Sequence, residues 1–129
     1  MLNIPNVPKV LIVEDDIQLN RLLQKGFSVA NLMTISTYNL TDALNVLQKE
    51  NIAVIVLDLG LPDGSGWDII DTLRAAQPAE AHPKIIIITG RDTSSVEHPN
   101  AKDYFILQKP VNVSELIRLA IQMRYGRKI

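Results

Sequence analysis

Apolar runs without polar interruption recur along the chain at Val10-Leu11-Ile12-Val13, Ile52 to Leu57 and Ile85 to Ile88, with Phe105-Ile106-Leu107 as a shorter fourth. Such runs predict strands buried on both faces, as in a parallel sheet covered by helices. Met33 to Tyr38 alternates instead, with Met33 and Ile35 set against Thr34 and Ser36, which predicts a half-exposed edge strand. Between the strands the spacing changes to three and four. Leu19, Leu22, Leu23, Phe27 and Ala30 draw one helical face, as do Leu40, Ala43, Leu44 and Leu47. Trp67, Ile70 and Leu73 draw a third, in a helix that stops near Pro78, and Val113, Leu116, Ile117, Ala120 and Ile121 a fourth. Capping pairs Asn39/Asp42, Ser65/Asp68 and Asn112/Glu115 open three of these helices, and the cluster Glu14-Asp15-Asp16 opens the first, where the helix dipole favours negative charge.

One segment breaks the rhythm. From Arg91 to Asp103 only Val96 and Ala101 are apolar, Pro99 lies in the middle, and no helical face can be drawn, which predicts a loop with at most a short turn of helix. Elsewhere the alternation of strands and helices predicts an α/β fold with a doubly wound parallel sheet, since parallel strands need crossovers. Residues 1–8, with Pro5 and Pro8, read as a loose lead-in, and 124–129, with Arg124, Arg127 and Lys128, as a short basic tail. No repeat or internal boundary divides the chain, so a single domain over 1–129 is expected.

Composition narrows the classes. A chain of 129 residues buries roughly two-thirds of its unfolded surface as one domain, and a hydrophobic fraction of 47% argues against disorder. There is no cysteine, which excludes disulfides and thiolate metal sites and is compatible with a reducing compartment. A formal charge of -1 gives no pull toward nucleic acid or anionic membrane. No basic start precedes a long apolar stretch, and no run approaches the ~18 apolar residues of a membrane span. A cytoplasmic protein that binds neither nucleic acid nor membrane directly is therefore expected. His82 and His98, each beside a proline, are expected to be exposed loop residues rather than ligands, and Trp67 to be helix-face packing.

In open parallel sheets ligands bind beyond the carboxyl ends of the strands. Four of the five expected strands end there in a charged or hydroxyl group: Glu14-Asp15, Asp58, Thr89 and Lys109. Taken singly each has an ordinary explanation, as a solvated helix start, a turn residue, a structural threonine and a surface lysine. Together they make a chemical set. Three carboxylates near one point repel unless a cation compensates, and hard oxygen ligands suit Mg²⁺, which binds through one or two carboxylates plus a phosphate. Asp58 is then a candidate nucleophile toward phosphorus, Thr89 a donor to a phosphoryl oxygen, and Lys109 a countercharge that pairs with Asp58 in the empty site. Phosphoryl transfer is mostly positioning and charge stabilisation, which this set supplies.

LIVEDD at 11–16, VLDLGLPDGSG at 56–66, IIIITG at 85–90 and QKP at 108–110 resemble, in that order, the receiver domains of two-component response regulators of the chemotaxis-receiver kind. The resemblance implies a flavodoxin-like five-stranded sheet in the order 2-1-3-4-5. It implies that Asp58 accepts a phosphoryl group from a histidine kinase or phosphotransfer protein. Glu14 and Asp15 are then the acidic pocket, and Asp15, Asp58 and the backbone carbonyl of Gly60 the Mg²⁺ ligands. Thr89 becomes the switch hydroxyl, Lys109 the phosphoryl contact, and Lys109-Pro110 a cis peptide. Asp16 matches no family ligand and is expected to start the helix. A signalling domain that catalyses only its own phosphorylation and dephosphorylation is implied, with a downstream output domain or protein as partner.

The chain departs from the family in two places. The fourth helix is expected to be short or absent, and Ile106 stands three residues before the lysine where the family has an aromatic, with Tyr104 two residues earlier on the same strand face. Two other readings stay open: a receiver-like interaction scaffold that no longer switches, and an aspartate-nucleophile phosphohydrolase. The latter class places a second Asp two residues after the nucleophile, where this chain has Gly60.

Overall fold

The computed structural model describes residues 8–78 and 81–125, the last of these in its backbone only. Most of the proposed N-terminal lead-in, and Arg127 and Lys128 of the basic tail, lie outside those residues. In chain order the elements are β1 (Lys9–Val13), α1 (Ile17–Val29), β2 (Thr34–Thr37), α2 (Leu40–Lys49), β3 (Ile52–Asp58), β4 (Gly60–Leu61), β5 (Gly64–Ser65), α3 (Trp67–Ala76), β6 (Lys84–Thr89), β7 (Phe105–Gln108) and α4 (Val113–Tyr125). Strands β4 and β5 form a small antiparallel ribbon. The other five make one parallel sheet in the order β2-β1-β3-β6-β7, which is 2-1-3-4-5 once the ribbon is set aside.

The apolar runs lie where burial demands them. Central β3 sends Val54 and Val56 to a core with Phe27 and Leu23 of α1 and Leu116 and Ala120 of α4. Its Ile55 and Leu57 join a second core with Ala43 of α2 and Ile69, Ile70 and Leu73 of α3. Each face of the strand therefore has its own helix pair, which is why the run does not alternate. The edges differ: β2 and β7 are only partly buried, and Phe105 on β7 is exposed.

Helix starts follow the capping residues with one displacement. Asp16 caps α1 by accepting from the backbone N–H groups of Gln18 at 3.0 Å and Leu19 at 3.2 Å, so it starts the helix as expected. The far end of α1 closes with Asn31 at φ 62°, its N–H bonded to Ser28 O and that of Leu32 to Phe27 O, a Schellman arrangement. Asn39 accepts from the Asp42 N–H at 2.8 Å, and Asn112 from that of Glu115 at 3.0 Å. Ser65 and Asp68 also pair, but one residue outside the helix, since Gly66 occupies the cap position. A second cap on α2 comes from the ribbon turn: Asp63 accepts from the N–H groups of Leu40 at 2.7 Å and Thr41 at 3.0 Å. The Leu40 bond above all holds the Asp63 carboxyl below the ordinary range.

Between β6 and β7 the described residues hold no α-helix, only 3-10 turns at Thr93–Ser95 and Ala101–Asp103. The loop is held instead by a stripe on α3 formed by Trp67, Asp71 and Arg74, spaced i, i+4, i+7. The His98 ring stacks on Trp67 at 4.0 Å between centroids and 4° between planes, and its Nε2 lies 3.3 Å from Asp71 Oδ1. Tyr104 meets the Trp67 edge, and its hydroxyl accepts from Arg74 at 3.1 Å. His98 is thus not the exposed loop residue expected of it; its side chain is 15% exposed, covered by Trp67 and facing Asp71 of α3. Trp67 likewise does more than fill a helix face. His82 is half-buried, its Nε2–H donating to the Gln77 carbonyl at 2.7 Å. No helix among the described residues is long and apolar enough to cross a membrane.

Replacing Ile55, fully buried at the centre of the sheet, with alanine is expected to remove about 3 kcal/mol of unfolding free energy, read as a lower urea midpoint at unchanged slope.

Candidate functional site

Register brings the predicted residues together. In adjacent strands Val13 pairs with Leu57, Asp58 with Ile88 and Thr89 with Gln108, so Glu14, Asp58, Thr89 and Lys109 emerge at one edge of the sheet. Lys109 is fixed there by its own N–H, which donates to the Thr89 carbonyl at 2.7 Å, and Lys109-Pro110 is cis as expected. Glu14, Asp58 and Thr89 are buried at 0%, 4% and 3% exposure.

Glu14, Asp15 and Asp58 each offer a carboxylate oxygen, and the three lie within 4.8 Å of one another. Lys109 Nζ sits 2.7 Å from Glu14 Oε1 and 3.2 Å from Asp58 Oδ2. The Gly60 N–H donates to the other Asp58 oxygen at 3.1 Å, and Glu14 Oε2 accepts from the Asp16 N–H at 3.0 Å. Burial, followed by the Asp58 carboxylate beside it, pushes the Glu14 carboxyl up to about 7, against the pull of Lys109 and the Asp16 N–H. For Lys109 burial works to lower the ammonium, but hydrogen bonding to Glu14 and the Asp58 charge more than offset it, so its value is raised and it stays charged. Three carboxylates against one ammonium leave excess negative charge, and an all-oxygen donor set of this spread fits a hard divalent cation. Asp58, Thr89 and Lys109 open into a cleft of about 510 Å³ whose walls also include Gly60, Trp67, Arg91, Val96 and Glu97. The Thr89 hydroxyl accepts from the Arg91 N–H at 3.1 Å, which leaves its proton free to donate into the cleft.

Two supporting residues escaped the reading of the sequence. Asn20 is fully buried and its amide donates to the carbonyls of Glu14 at 2.9 Å and Thr37 at 3.1 Å, tying the ends of β1 and β2 to α1. Its signal was a polar residue on the face of Leu23 and Phe27. Gly66 packs so closely under β3 that a Cβ there would run into the Asp58 carbonyl oxygen, whereas one on Gly60 would meet nothing within 4 Å.

The family model for the response regulator receiver domain matches residues 10–121. Transcriptional regulatory protein HprR of Escherichia coli (strain K12) is 31% identical over 121 residues, 90% of this chain and 52% of that protein. Swarming motility regulation protein RssB of Serratia marcescens is 34% identical over 110 residues, 84% of this chain and 49% of that protein. The chain thus spans about half the length of both relatives. In fold it is similar to the receiver domain of Francisella response regulator 1452, with a TM-score of 0.80 at 24% identity, covering 94% of this chain and 99% of that one.

Two outcomes follow from the geometry. Folded Glu14 keeps its proton to about pH 7 while an unfolded glutamate releases it near 4.5, so the folded state binds more protons between those values. With chelator present, stability should therefore fall at this site as pH rises from about 4.5 to 7, and Glu14→Gln should remove that slope in urea midpoints measured across the range. Gly66→Ala should lower the midpoint by shifting the backbone under Asp58, and Gly60→Ala should leave it nearly unchanged.

Proposed function

This chain belongs to the response regulator receiver domain family, matched over residues 10–121, and on that premise we propose that Asp58 is its phosphoacceptor. The observation that carries the reading is the placement of Asp58 at the end of the buried central strand, 3.2 Å from Lys109 and clustered with Glu14 and Asp15. The domain is a signalling domain rather than a turnover enzyme. Its own chemistry is one exchange of bonds: an Asp58 carboxylate oxygen forms a bond to phosphorus as the bond from phosphorus to the donor's leaving group breaks, and the leaving group takes up a proton. A histidine kinase or phosphotransfer protein supplies the phosphoryl group.

Asp15, Asp58 and the Gly60 carbonyl would hold Mg²⁺, with Glu14 behind them as further negative charge. A divalent ion held there would supply positive charge to the phosphoryl oxygens. The chain's own groups do the rest. Lys109 moves from pairing two carboxylates to pairing a phosphoryl oxygen, and Thr89 donates its hydroxyl to another. Gly60 supplies no carboxylate two residues after Asp58, so no side chain there acts as an acid or base for the breakdown of an aspartyl phosphate, which favours a lasting mark over turnover. An output domain or separate protein reads the change; the relatives, about twice as long, are described as regulatory proteins.

Incubation with acetyl phosphate and Mg²⁺ should add one phosphoryl group by intact mass, and Asp58→Asn should take up none. Lys109→Ala should slow labelling by roughly 10²-fold. Label retained in Asp58→Asn would overturn the assignment.

A further inference from the structure

Asp58 is 4% exposed and lines the cleft, which gives a phosphoryl donor a way in to it. Arg91, Val96 and Glu97 of the loop between β6 and β7 form part of the cleft wall, and Trp67 from α3 lies beside them. That loop has no α-helix to stiffen it, and side-chain contacts to α3 help to fix it beside its own short-range bonds. Among those contacts is the parallel stack of His98 on Trp67, one residue beyond the cleft-lining Glu97.

His98 is held in one orientation by both ring nitrogens. Its Nδ1 accepts from the Asn100 N–H at 3.1 Å, which leaves the proton on Nε2 facing Asp71 Oδ1 at 3.3 Å. The Trp67 backbone is tied to the chain after Asp58: its amide N–H donates to Ser65 Oγ at 3.1 Å, and that of its neighbour Gly66 to the Leu59 carbonyl at 2.9 Å. The stack therefore bridges the chain that follows Asp58 and the chain that follows Thr89. We propose that the Trp67–His98 stack, oriented by Asp71, is a latch that holds residues 91–98 as the outer wall of the Asp58 cleft and so limits the entry of phosphoryl donors.

The proposal rests on Asp58 being the acceptor. His98 and Asp71 are positioning residues: neither lines the cleft. A stacked pair of this kind stabilises the closed loop enough that its loss should raise the open population roughly two- to tenfold.

The test compares intact wild type with His98→Ala, His98→Phe and Asp71→Asn. The rate of labelling by acetyl phosphate, the Mg²⁺ dissociation constant by calorimetry and the amide hydrogen exchange of residues 91–103 are measured for each. Labelling in His98→Ala should rise by roughly two- to tenfold, with faster loop exchange, an unchanged Mg²⁺ constant and altered emission from Trp67, the single tryptophan. His98→Phe, which keeps a ring to stack, should return most of the way to wild type. Asp71→Asn, altered at a side chain 55% exposed and safe for folding, should move in the same direction as His98→Ala by a smaller factor. Faster loop exchange with unchanged or slower labelling would overturn the gating role, and unchanged loop exchange would overturn the latch. Wild type that takes no label would instead overturn the acceptor reading on which the proposal stands.

Discussion

A carboxylate at the end of a strand buried on both faces has lost most of its water, and its charge survives only if another part of the chain supplies compensation. Lys109 provides it here. One ammonium reaches Glu14 at 2.7 Å and Asp58 at 3.2 Å, joining the ends of β1 and β3 to the end of β7 at the sheet's edge. The compensation is incomplete, since Asp15 adds a further negative group and the Glu14 carboxyl is pushed up to about 7. A site left short of positive charge is one that gains from a cation, and a lysine shared between two carboxylates is one that can be drawn toward a new anion. The fold supports both features by keeping the acidic residues on central strands and the lysine on an edge strand.

Most of this architecture follows from local pattern. Unbroken, β-branched runs such as Ile52 to Leu57 suit strands covered on both faces, and parallel strands of that kind require crossovers, which place their carboxyl ends on one side. From that, Glu14, Asp58, Thr89 and Lys109 converge without any knowledge of their contacts. Asp16 and Asn39 acted as the caps their positions suggested because capping is settled within a few residues. The segment Arg91 to Asp103 lacked a helical face and folds without an α-helix for the same local reason.

The residues that pattern alone does not place are those whose partners lie on another element. Asn20 was passed over because a helical face is read from its apolar members, and its two carbonyl partners belong to β1 and β2. His98 was assigned to solvent because proline neighbours mark loops, although nothing in that composition says whether a loop packs. Ser65 and Asp68 were recognised as a pair but displaced by one residue, because the close approach of Gly66 to β3 sets where the helix begins. A local clue also lies on α3, where Trp67, Asp71 and Arg74 at i, i+4 and i+7 put an aromatic and two charged groups on one stripe.

That stripe also changes how a signal would leave the site. A helix between β6 and β7 would carry its own backbone hydrogen bonds and move as a body, so displacement at Thr89 would be passed on rigidly. The loop found here has two single 3-10 turns and hydrogen bonds that close only over two or three residues, so its seat on the domain depends on longer-range contacts such as those to α3. Arg74 extends that contact to Asp103 and Tyr104 just before β7, and Tyr104 packs against the same core as Ile106. A shift of the Thr89 arm would therefore also be felt as a change in packing against α3, at Trp67 through His98.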